Sequence, residues 1–62
     1  MNRHELETYI ANLTVAIETV TNLSKKLAEV GKDTTTLIHT IAHLIITREE
    51  AKTELETING NL

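Results

Sequence analysis

The chain has no cysteine and no proline, two glycines and a single aromatic, Tyr9. Without cysteine there are no disulfides and no thiolate metal site, so a small core cannot be stapled by either route. Three histidines, at 4, 39 and 43, are the only nitrogen ligands a metal could use, and no metal or other cofactor is expected. A compact monomer of 62 residues usually leans on large rings, because each ring buries so much area. Here the apolar stock is Leu, Ile, Val and Ala, which suits the seams between helices. No run approaches the roughly 18 to 20 apolar residues of a membrane span. The opening MNRHELETY has no apolar segment of the signal-peptide kind. The expected location is the cytoplasm, and no membrane partner is expected.

Charge narrows the functions further. The formal net charge is −3. Residues 1–32 balance Arg3, Lys25, Lys26 and Lys32 against Glu5, Glu7, Glu18 and Glu29. The excess lies beyond them, where Asp33, Glu49, Glu50, Glu54 and Glu56 outnumber Arg48 and Lys52. A nucleic-acid partner normally leaves a basic patch or stripe. None is present, so nucleic acid is not the expected partner.

What is there is helical. Asn2 is a good N-cap, with Glu5 three residues on as in a capping box. Leu6, Leu13, Val20 and Leu27 recur every seven residues, and Tyr9, Ala16, Leu23 and Val30 follow three after each. That is an a/d heptad seam, widened by Ile10 and Ile17. Tyr9 at a d position is expected to pack. The first helix has no second apolar face; Val15 is a lone outlier. Lys25 and Lys26 fall near its end, where the dipole favours cations. Gly31 offers the left-handed conformation that closes a helix, and Asp33 can cap the next one.

The second helix carries Leu37, Leu44, Ala51 and Ile58 in one row and Ile41, Arg48, Leu55 and Leu62 in the other, with Gly60 as a stop. The expected plan is all-α: helix over about 3–30, turn at 31–33, helix over about 34–59. Helices of that length run roughly 40 Å each. Two equal helices around a Gly-Lys turn make an antiparallel hairpin. The heptad phase carries through Gly31 unbroken, which a continuous coiled coil would also require. Against that rod stand Gly31, worth about 1 kcal/mol against a helix interior, the Asp33 cap and the run Thr34, Thr35, Thr36. A strand over TTTLIHTI suits its Thr and Ile, but the spacing that follows is helical. Thr occurs 11 times, and it is a poor helix former, so packing must hold these helices together.

The run TTTLIHTIAHLIIT is greasier than one contact needs. On a helix Leu37, Ile41 and Leu44 form the seam, and Ile38, Ala42, Ile45 and Ile46 continue round one side. Only His39, Thr40, His43 and Thr47 hold the polar edge. A lone hairpin would leave Ile38, Ile45 and Ile46 wet, and burying each is worth about 1.5 to 3 kcal/mol. Whole domains are stable by only about 5 to 15 kcal/mol. The expected remedy is self-association, two hairpins making a four-helix bundle, with a larger ring also possible. The expected interface is Ile38, Ile41, Ala42, Leu44, Ile45, Ile46 and Arg48. Docking of a different protein on the same face is the functional alternative. Arg48 breaks the apolar seam; it either fixes register at a cost in stability or keeps its stem buried and its guanidinium at the edge, near a Glu of a neighbouring helix.

Chemistry for catalysis is missing. His39 and His43 are spaced i, i+4, as on a zinc-binding helix, but the run is HTIAH, with Thr40 where a zincin would need its Glu. They read as polar-edge histidines, a pH-responsive interface being a further possibility. The lone serine, Ser24, adjoins Lys25 on a different helix face. No glycine-rich phosphate loop exists, and Glu49-Glu50 reads as solvated charge. An enzyme is not expected. Binding without catalysis is open: Arg3, His4, Tyr9, Lys25, Lys26, His39, His43 and Arg48 could meet at clefts between subunits, a ring and cations suiting a small anionic ligand such as a nucleotide.

Two near-equal helices, a short turn that keeps the heptad frame and about sixty residues resemble the small plasmid-copy-number hairpins of the Rop type along the whole chain, with no specific motif behind the likeness. The resemblance implies a dimeric four-helix bundle and RNA binding by first-helix faces. The first helix here has no aromatic on its outer face and few basic residues, so the resemblance bears on fold and dimer more than on function. The expected function is that of a non-enzymatic helical oligomer acting through protein contacts. A regulator, inhibitor or adaptor fits, and the size suits a phage or other mobile element.

Overall fold

Asn2 starts the first helix in the way its side chain allows. In the computed structural model, which describes residues 1–60, α1 runs Arg3–Glu29 and α2 runs Thr35–Gly60. The Asn2 side-chain oxygen accepts from the Glu5 N–H at 2.8 Å, and its carbonyl accepts from the Leu6 N–H at 3.0 Å. One side-chain atom thus satisfies a donor that the first turn would otherwise leave open. Arg3 and Glu7 sit one turn apart on the outside, 3.7 Å between charges, an exposed pair of little energetic weight.

The turn between the helices is built from three residues with distinct tasks. Val30 is the C-cap of α1 and Gly31 follows with φ of 78°. The Gly31 N–H donates to the Ala28 carbonyl and the Lys32 N–H to the Leu27 carbonyl, both at 3.0 Å. This pair of bonds is the Schellman closure, and glycine meets its left-handed φ without strain. Asp33 then caps α2 from two residues before its first helical residue, not one. Its Oδ1 accepts from the Thr35 N–H at 2.9 Å and the Thr35 hydroxyl at 2.7 Å, while the Thr34 carbonyl takes the first helical bond, from Ile38. These bonds hold the Asp33 carboxyl below its ordinary pKa, the Thr35 hydroxyl contributing most. A single coiled coil through Gly31 is therefore not what forms; the chain folds back and α2 packs on α1. The hairpin measures 50 × 15 × 13 Å. The TTTLIHTI run is helical from Thr35 on.

Six threonines return their hydroxyls to carbonyls four residues back: Thr14, Thr19, Thr40, Thr47, Thr53 and Thr57. These bonds satisfy each hydroxyl within its own helix, which lets so many threonines sit in helices without needing a neighbour.

The core between the helices is thin. Leu6, Leu13 and Ala51 are its only buried residues among those described. Around them lie half-buried Ile10, Ile17, Val20 and Leu27 from α1 and Leu37, Ile41, Leu44, Leu55 and Ile58 from α2. The α2 seam is thus the a/d pair expected from its heptads; Leu62 lies outside the described residues. The α1 seam differs. The Leu6 row is shared, but its second row is Ile10, Ile17 and half-buried Ser24, one position beyond the d row. Tyr9, Leu23 and Val30 are left exposed. Of the d row Ala16 is half-buried, whereas Tyr9, 36% exposed, lies toward its open edge, so the seam turns toward Ile10 and Ile17, which the heptads alone made its margin. The Leu row can sit beside apolar neighbours on either side, so its period alone does not say which one turns inward.

Candidate functional site

On α1 the apolar residues concentrate on one side, whereas on α2 they spread around the helix. The consequence is visible residue by residue. Leu37, Ile41 and Leu44 turn toward α1 and are half-buried. Ile38 is 54% exposed, Ile45 38% and Ile46 59%, and Ala42 is also exposed. The residues expected at an interface between copies therefore divide into a seam group, already used by the hairpin, and an open group, Ile38, Ala42, Ile45 and Ile46. Scattered apolar residues on a surface are ordinary, but three isoleucines within nine positions of one helix are not scattered.

Arg48 joins the two groups. It is half-buried in the middle of α2 and its Nη1 donates to the Thr14 hydroxyl across the hairpin at 3.3 Å. Thr14 in turn donates to the Ile10 carbonyl at 3.0 Å. The Nε atom of Arg48 is buried without an acceptor. An orphaned donor of that kind costs about 1 to 3 kcal/mol. One hairpin thus shields the stem but leaves the guanidinium's hydrogen bonding incomplete, and no carboxylate among the described residues pairs with it.

This contact also fixes which flanks of the two helices adjoin. Ile45 lies one turn before Arg48, and Ile38 seven residues before Ile45, so all three share a side of α2. Thr21, seven residues on from Thr14, shares its side of α1 and is likewise half-buried. The outcome is one continuous flank: Thr14 and Thr21 from α1, Ile38, Ile45 and Arg48 from α2.

The residues considered for an anionic ligand are not gathered in one hairpin. His4 and Tyr9 line a shallow groove of about 400 Å³ with Met1, Glu5, Thr8 and Asn12. Arg3 is beside it but faces Glu7. Lys25 and Lys26 lie at the other end of α1, about 24 Å from Tyr9 along the helix. His39 and His43 stand exposed on α2. Among the described residues no cluster of three or more His, Asp or Glu could hold a metal ion, and none of them supplies a third ligand to His39 and His43. No described helix is long and apolar enough to cross a membrane. Comparison with protein-family models, curated proteins and solved structures gave no match to this chain.

Proposed function

We propose that the hairpin is a non-enzymatic interaction module that self-associates, two copies forming a four-helix bundle, and that it acts as a regulator, inhibitor or adaptor through protein contacts. The observation that carries this reading is the open isoleucine group on α2 beside a core of three buried residues among those described. A chain of this size buries too little surface to be comfortably stable alone, and oligomerisation is the remedy left to one without cysteines. Covering Ile38 and Ile45 adds apolar burial where the single hairpin is poorest. The acid-rich second half then keeps the outside of the bundle charged and soluble. The test is the mass of the chain in solution across a concentration series, compared with that of Ile45→Asp.

A second reading rests on the groove beside Tyr9. An exposed ring with His4 next to it offers a face for stacking and a donor, which suits a small anionic molecule such as a nucleotide. In one copy the lysines lie too far away to complete such a site, so it would need residues of two copies. Titration with a nucleoside triphosphate, followed by native mass spectrometry, tests this: a stoichiometric complex lost on Tyr9→Ala supports it, and an unmodified mass at millimolar ligand opposes it.

A further inference from the structure

The self-association reading leaves open which flank a second copy covers and what sets the register. The position of Arg48 supplies both. Arg48 stands at the centre of α2, and Thr14 and Glu18 straddle Ala16, the central residue of α1. Any two-fold axis that lays two hairpins in full overlap maps this middle layer onto itself, whether the turns meet at one end or lie at opposite ends. Arg48 of one copy therefore faces the middle layer of the other.

Three carboxylates belong to that layer. Glu49 already takes the Lys52 ammonium at 3.4 Å. Glu50, five residues on from Ile45, lies across α2 from it. Glu18 is four residues beyond Thr14 and three before Thr21, on the flank that Arg48 reaches, is exposed, and makes no ion pair among the described residues.

We propose that a second copy of this chain seats on the flank of Thr14, Glu18, Thr21, Ile38, Ile45 and Arg48, and that Glu18 of each copy pairs with Arg48 of the other. The isoleucines provide the apolar contact. The two symmetric ion pairs, at mid-height and shielded by them, fix the register. The carboxylate takes the outer edge of the guanidinium, and a swing of the side chain brings the orphaned Nε into the same fork; arginine presents such paired donors to a carboxylate. A charged residue in an otherwise apolar seam costs stability, and selecting a single register is the best-attested return for that cost.

A charge-swap experiment tests the pairing separately from self-association. In Arg48→Glu homodimers both pairs become acid against acid, and in Glu18→Arg homodimers base against base; each variant is expected to associate more than about tenfold more weakly than the wild type. An equal mixture of the two restores both pairs in the heterodimer, as does the double variant in its homodimer, and both are expected to regain wild-type association. Singles that associate normally, or a mixture that does not recover, overturn the pairing while leaving self-association standing. A monomeric wild type instead overturns the reading beneath it. Should Arg48→Glu not fold, Glu18→Arg against Glu18→Gln decides on an exposed position: repulsion from Arg48 weakens the first far more than the second, and equal association of the two overturns the pairing.

Discussion

The guanidinium of Arg48 crosses from α2 to the hydroxyl of Thr14 on α1, with 3.3 Å between Nη1 and Oγ1. It is the one cross-helix side-chain hydrogen bond among the described residues, and it joins the centres of the two helices. Apolar packing elsewhere in the hairpin is non-directional, so this bond has a disproportionate part in aligning one helix on the other.

Thr14→Val keeps the shape of the side chain and removes the acceptor. The hairpin is expected to lose about 1 kcal/mol, read as a lower melting temperature at fixed concentration. An unchanged melting temperature would mean that Arg48 finds equivalent partners in water.

Gly31 has a φ of 78°, and a Cβ added there would meet nothing within 4 Å. The cost of Gly31→Ala is therefore backbone strain alone, about 1 to 2 kcal/mol. Thermal unfolding with undiminished helicity at low temperature is the expected signature. A larger loss, or a change to an elongated rod in solution scattering, would show that the glycine does more than close α1.

Asp33 links stability to pH. Its carboxyl is held below the ordinary value by the Thr35 hydroxyl and the Thr35 N–H, so the folded state binds its proton less readily than the unfolded chain. The stabilisation is present in full above the ordinary carboxylate range and is lost as pH falls through the depressed folded value. Wild type should exceed Asp33→Asn in melting temperature most clearly near neutral pH, with the gap narrowing under acid. A gap independent of pH would place the cap's worth in the Asn-compatible geometry and not in the charge.

Much of this fold was legible because its signals are local. Asn2, Gly31 and Asp33 each act on residues within five positions, and the helix ends follow from them. The exposed Ile38, Ile45 and Ile46 were legible from periodicity on α2, since a single neighbour can cover only one side of a helix. The rotation of α1 was not. Its Leu row has apolar companions on both sides, Tyr9 and Leu23 on one and Ile10 and Ile17 on the other, and either pairing makes a plausible seam. The choice follows from tertiary contacts that no local pattern encodes, among them the meeting of Arg48 with Thr14. The same limit separates His4 and Tyr9 from Lys25 and Lys26: all were candidates by residue type, but a straight helix keeps them far apart.

The most direct measurement is the molar mass of the wild-type chain by light scattering or sedimentation from low micromolar to near-millimolar concentration, beside Ile45→Asp. Self-association predicts twice the 6.9 kDa chain mass or a higher multiple for the wild type, and 6.9 kDa for the variant, with its helicity falling as the partner is lost. A wild type that stays folded at 6.9 kDa throughout would contradict it.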